Sequence, residues 1–207
     1  MPSVPFITSV VAPDLSNYPA LVAHYTLRMV FQSAELPEGN GRRLVLLFLQ
    51  VVDKAFREYN AGRAVLDDYA RSANRTILYI EGVGRFETCI HSVVRALRLA
   101  DRIARDANAP EVNRNARKQL KRALESFRHL RDETEHMDEH IDGSQLAEGE
   151  AHALMVVKDG KILEIANCRL TFSELADALR QLHGVAMEMI EGLVPGPPCP
   201  EGTAANG

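Results

Sequence analysis

Phe127-Arg128-His129-Leu130-Arg131-Asp132-Glu133-Thr134-Glu135-His136-Met137-Asp138-Glu139-His140-Ile141 closes a segment in which Ala116, Leu120, Ala123, Phe127, Leu130, Thr134, Met137 and Ile141 alternate three and four residues apart. That spacing predicts a long helix with one buried seam, because side chains three and four apart share a face. The rest of the circumference is dense with charge. At about 100° per residue, His129, Glu133, His136 and His140 fall within about 60° of one another on one flank of the seam. Asp132 sits one turn before His136, and Arg131 lies on the opposite flank.

Working outward, Pro110 at a first helical position predicts where this helix opens, and Gly143 where it stops after Asp142. Upstream, helical signals run from Arg63 to about Ala107, crossed by Gly82 and Gly84. Each glycine costs about 1 kcal/mol relative to alanine inside a helix, which predicts a kink, a break or a close helix crossing there. Before them, Asn40 is placed to cap a helix to about Tyr59, whose Leu44-Val-Leu-Leu-Phe-Leu49 run predicts heavy burial. A first helix, from Pro19 after Ser16 or Asn17 to about Ala34, follows an extended, proline-bearing arm over residues 1–17.

Downstream, Ala153-Leu-Met-Val-Val157 and Lys161-Ile-Leu-Glu-Ile165 flank Asp159-Gly160, which predicts a β-hairpin near 152–166. Thr171-Phe-Ser-Glu174 has the spacing of a capping box and starts a last helix to Gly192. The tail, 194–207, carries the Pro195-Gly-Pro-Pro-Cys-Pro200 run and is expected to be disordered. The fold class expected is mainly α: an antiparallel bundle of four to five helices over 18–193, with a small β-hairpin before the last helix.

The 207 residues suffice for one ordinary core, and 46% apolar with 25% charged residues reads as globular. A net charge of -4 supplies no global attraction for nucleic acid, so such contact requires a local basic patch. The three cysteines have no metal-ligand spacing and read as reduced thiols. No signal-peptide pattern precedes Arg28, and the longest apolar run is too short to span a bilayer, so a cytoplasmic protein with no membrane contact is expected.

Arg131-Asp-Glu-Thr-Glu-His136 spaces an arginine and a histidine by four residues, with an acid directly after the arginine. Two other Arg-x(4–6)-His pairs occur, Arg85 with His91 and Arg122 with His129; the third stands out through Asp132, its place at a helix end, and the titratable groups around it. The motif and the bundle outline resemble the HEPN superfamily, helical-bundle proteins that include many prokaryotic toxin and defence ribonucleases. The resemblance implies a metal-independent endoribonuclease, or an inactive relative, that uses no cofactor and works as a homodimer with one composite site. It implies Arg131, Asp132 and His136 as catalytic residues. Arginine would stabilise charge developing on phosphate, histidine would move a proton near neutral pH, and Asp132 would orient His136. Where the adenylylation-silenced members carry a tyrosine two residues past the histidine, this chain has Asp138. An antitoxin is a further partner that the resemblance implies.

The basic run Arg114, Arg117, Lys118, Lys121, Arg122 is the one basic stripe on the motif helix, and Lys118, Lys121 and Arg122 are the expected RNA contacts. The acids around His136 suit RNA poorly and suit a cation better. An alternative is therefore a metal-binding bundle using Glu133, His136 and His140, which share one face. A third reading is a non-enzymatic helical dimerisation or binding protein, with the acidic, histidine-rich helix end as a partner surface. Elsewhere, His91 reads as part of a structural salt-bridge cluster with Glu87 and Arg85, or as a group behind an active site.

Overall fold

The computed structural model describes residues 7–32, 39–72, 75–107, 109–110, 112–137, 142 and 153–193. Five helices carry most of them: α1 (Leu21–Gln32), α2 (Asn40–Arg71), α3 (Thr76–Ile103), α4 (Arg114–Glu135) and α5 (Phe172–Glu191). Three short strands, β1 (Met155–Val157), β2 (Ile162–Ile165) and β3 (Cys168–Thr171), precede α5. The expected mainly helical class with a small β element before the last helix is what the chain forms.

The axis of the molecule is the antiparallel pair α2 and α3. Along α2, Val45, Phe48, Leu49, Val52, Ala55, Phe56, Tyr59 and Leu66 recur three and four apart and are all buried, a stripe that α3 covers with Val83, Phe86, Ile90 and Leu97. α2 does not stop near Tyr59; it continues through Gly62 to Arg71. Nor does α3 break at its glycines. A Cβ on Gly82 would lie 2.6 Å from the Leu66 side chain, and one on Gly62 3.0 Å from the Phe86 ring. The two glycines are reciprocal notches, so the close crossing is the expectation that holds at Gly82. Gly84 faces open space.

Helix starts depart from the sequence reading because tertiary partners supply the caps. Neither Ser16 nor Asn17 caps α1; the Asp53 carboxylate of α2 accepts the N–H groups of Leu21 (2.8 Å) and Val22 (3.0 Å). Asn40 is already helical, and Gly39 occupies the cap position with no side-chain bond. Pro110 does not open α4 either. Asn113 does, its side chain accepting from the N–H groups of Asn115 and Ala116. At α5 the Thr171–Glu174 capping box forms as the sequence predicts.

The expected hairpin is present and gains a third antiparallel strand, giving the order β1-β2-β3. Val156, Leu163 and Leu170 oppose one another across the three strands and are all buried, forming the inner row of the sheet. The link from β2 to β3 is Ala166-Asn167, with Ala166 at φ 46° and no glycine to announce it. The sheet lies against α4 and α5. Its edge is tied to α3 where the Val156 N–H donates to the Tyr79 hydroxyl at 2.8 Å.

Residues 7–17 are non-helical, as expected of the arm, and they are docked. Ile7 and Leu15 are buried to 1% exposure in the common core. The Val11 N–H donates to the Gly160 carbonyl (2.9 Å), the Tyr59 hydroxyl donates to the Pro13 carbonyl (3.0 Å), and Arg63 pairs with Asp14 (2.9 Å). Gly160 has φ 77°, and a Cβ there would strike the Ser9 carbonyl oxygen, so only glycine lets the arm cross the hairpin turn. Residues 1–6 and the tail 194–207, expected to be disordered, lie outside the described residues. No helix among the described residues is long and apolar enough to cross a membrane.

Candidate active site at the end of α4

α4 presents a narrow apolar seam, Leu120, Phe127 and Leu130, which is buried against α3, α5 and the sheet. α4 ends at Glu135 with His136 as its C-cap at φ -108°, and Met137 and Asp142 are again helical, so the helix expected to run unbroken to Asp142 is interrupted at His136. Met137 is buried beyond it. Residues 138–141 lie outside the described residues, and with them His140 and the outer part of the histidine face.

Arg131 leaves α4 toward the interior, its side chain only 16% exposed. Its Nη2 donates to Asp132 Oδ1 at 2.6 Å and to Glu135 Oε2 at 2.8 Å. Arg128 Nε approaches the other Asp132 oxygen at 3.4 Å, and Glu135 Oε1 lies 3.6 Å from Nδ1 of His91 on α3. The result is one chain of polar contacts, Arg128, Asp132, Arg131, Glu135 and His91, that crosses from α4 to α3. Asp132 and Glu135 are 34% and 40% exposed, so water screens these pairs and their chief effect is to fix the guanidinium. Two polar atoms of this network, Arg131 Nε and His91 Nε2, are buried without a hydrogen-bond partner among the described residues.

Of the three expected catalytic residues, Arg131 and Asp132 are therefore in contact. His136 is exposed, and its backbone N–H donates to the Asp132 carbonyl at 3.0 Å. Glu133 lies within electrostatic reach of β3: burial, and then the charge of Glu133, push the Cys168 thiol above its ordinary value. Among the described residues no group of three or more His, Cys, Asp and Glu side chains could hold a metal. Of the alternative metal set, Glu133 and His136 are described and His140 is not.

His91 and Glu135 are the site neighbours that the sequence reading misplaced or missed. Arg85 pairs with Glu58 and Glu81 instead of sharing a cluster with His91, which leaves His91 for Glu135. Nothing local in sequence links residues 44 apart on two helices; only the α3–α4 packing does. Lys118, Lys121 and Arg122 are exposed on the amino-terminal half of α4, and none forms an ion pair with a described residue.

Compared with known proteins, the chain matches no family model, no curated protein and no solved structure.

Proposed function

We propose that the protein is an HEPN-like endoribonuclease that cleaves without a metal, in a cytoplasmic toxin or defence setting. The observation that supports this most is Arg131, a guanidinium set in place by Asp132 and Glu135 at the end of α4, with His136 exposed five residues later. An arginine so fixed is preorganised for the charge that builds on a phosphate when the ribose 2′-oxygen attacks it. His136 exchanges the proton of the 2′-hydroxyl or of the leaving 5′-oxygen, since imidazole titrates near neutral pH. The products are a 2′,3′-cyclic phosphate and a 5′-hydroxyl.

Five residues along a helix turn a side chain about 140°, so Arg131 and His136 of one α4 diverge. A homodimer resolves this by placing two α4 ends together, one arginine next to the other protomer's histidine. RNA phosphates run over Lys118, Lys121 and Arg122, and an antitoxin is the protein partner of such an enzyme.

The test is incubation of a mixed RNA pool with purified protein in excess chelator, with His136→Ala and Arg131→Ala in parallel. Cleavage by the parent protein alone, leaving cyclic phosphate ends, is the expected result, with each variant down at least about 100-fold, as loss of a general acid–base group produces. Light scattering should return twice the 22.9 kDa chain mass. The second reading, a binding protein without chemistry, is favoured by the neutralisation of Arg131 by two carboxylates. It predicts no cleavage by any of the three proteins.

A further inference from the structure

Residues 95–131, the carboxy-terminal part of α3 and most of α4, carry eleven basic side chains against four acidic ones, a balance of +7 in a chain whose total is -4. The charge is thus concentrated where these two helices lie side by side. Arg95, Arg98 and Arg102 on α3, and Arg105 in the turn after it, follow at steps of three and four and are all exposed; the three on the helix form a stripe about 10 Å long at 1.5 Å per residue. Beside it runs a groove of about 460 Å³ whose floor is Leu47, Leu99 and Leu124 and whose rim is Arg95, Arg98 and Arg102. Asp101 and Leu124 also line a smaller cavity bounded by Arg117 and Lys121, so the groove continues onto α4.

The acids do not cancel this charge. Asp101, the one carboxylate in the larger groove, is taken up by Arg105 and Arg117. Arg95, Arg98 and Arg102 form no ion pair with any described residue. Three guanidinium groups with no acidic partner among the described residues, set over an apolar floor, match a ligand with regularly spaced anions and flat apolar faces. Guanidinium forks onto phosphate and stacks on bases, which lysine does not.

We infer that the α3–α4 groove binds single-stranded RNA, with Arg95, Arg98 and Arg102 as phosphate contacts and the leucine floor beneath the bases. The choice of RNA rests on the nuclease reading; the groove itself does not depend on His136. It extends the RNA path from the α4 stripe onto α3.

The experiment measures anisotropy of a labelled, unstructured single-stranded RNA in chelator across a salt series, using full-length His136→Ala protein so that the probe stays intact. Into it are placed Arg95→Glu/Arg98→Glu/Arg102→Glu, and as a control of equal charge the triple Arg57→Glu/Arg71→Glu/Arg75→Glu. The groove variant should bind at least about tenfold more weakly, and the log–log salt slope should shrink by about 2, the equivalent of three phosphates at about 0.7 each. The control should bind nearly as the parent does. Arg→Ala at the same three groove positions, milder for folding, should shift both readouts in the same direction.

Equal losses in both triples would reduce the effect to net charge and overturn the proposal. So would unchanged RNA binding, including the case where the groove triple alters only the solution mass and the groove is a contact between copies. Cleavage by the protein with native His136 is read separately. Arginine-dependent binding without cleavage keeps the groove and removes the nuclease; cleavage with arginine-independent binding removes the groove alone.

Discussion

Two glycines two residues apart in α3 face opposite fates. At Gly82 a methyl group would sit inside contact distance of Leu66 Cγ and Cδ2, both at 2.6 Å, in a helix crossing with no slack. Gly82→Ala should destabilise the fold by about 1–3 kcal/mol, the range for overpacking. At Gly84 nothing lies within 4 Å, and alanine there removes backbone freedom from the unfolded chain. Gly84→Ala should stabilise by about 0.5–1 kcal/mol. Urea denaturation of the two variants checks both signs, and a shift in the same direction for both would contradict this account of the crossing. Both glycines looked alike in the sequence because a helix break and a helix notch use the same residue; only the residue on the facing helix separates them.

At the scale of elements, legibility followed the distance over which the deciding contact acts. The α5 cap was readable because Thr171 and Glu174 bond across three residues. The α1 cap was not, since Asp53 reaches it from a different helix. Asp53→Ala should therefore cost about 1–2 kcal/mol and accelerate amide exchange at Leu21 and Val22 while leaving α2 protected; unchanged exchange there would show that α1 does not depend on this carboxylate. The third strand escaped notice for a related reason. Its turn, Ala166-Asn167, holds alanine in the left-handed region, where turn composition offers no warning. Conversely, Asp159-Gly160 announced the first turn correctly because glycine is required there, by the arm as well as by the backbone.

Taken as a whole molecule, the core holds acids that must stay protonated. Burial, and then the charge of Glu58, push the Cys89 thiol above its ordinary value of 9.0. Burial pushes the Tyr59 and Tyr79 phenols above 10.0. In each case the unfolded chain loses its proton first, so it binds fewer protons than the native state and stability falls as pH rises. The contribution is complete below about pH 9 and is lost progressively above it. Thermal unfolding should show a falling Tm between about pH 9 and 11, and Cys89→Ala should flatten the start of that decline. The site was legible only as a motif: Arg131 and Asp132 are neighbours in sequence and in space, whereas His91 reaches them, through Glu135, by packing between helices.

The docked arm also sets an order of events during synthesis. Ile7 and Leu15 emerge from the ribosome well before the turn at Gly160 that residue 11 bonds, which appears about 150 residues later, after about 10–30 s of translation. The α2–α3 pair can form in that interval from its own contacts. Until the hairpin arrives, the arm has only its contacts with α2, through Tyr59 and Arg63, to hold it, and its docking is completed after the helices it covers.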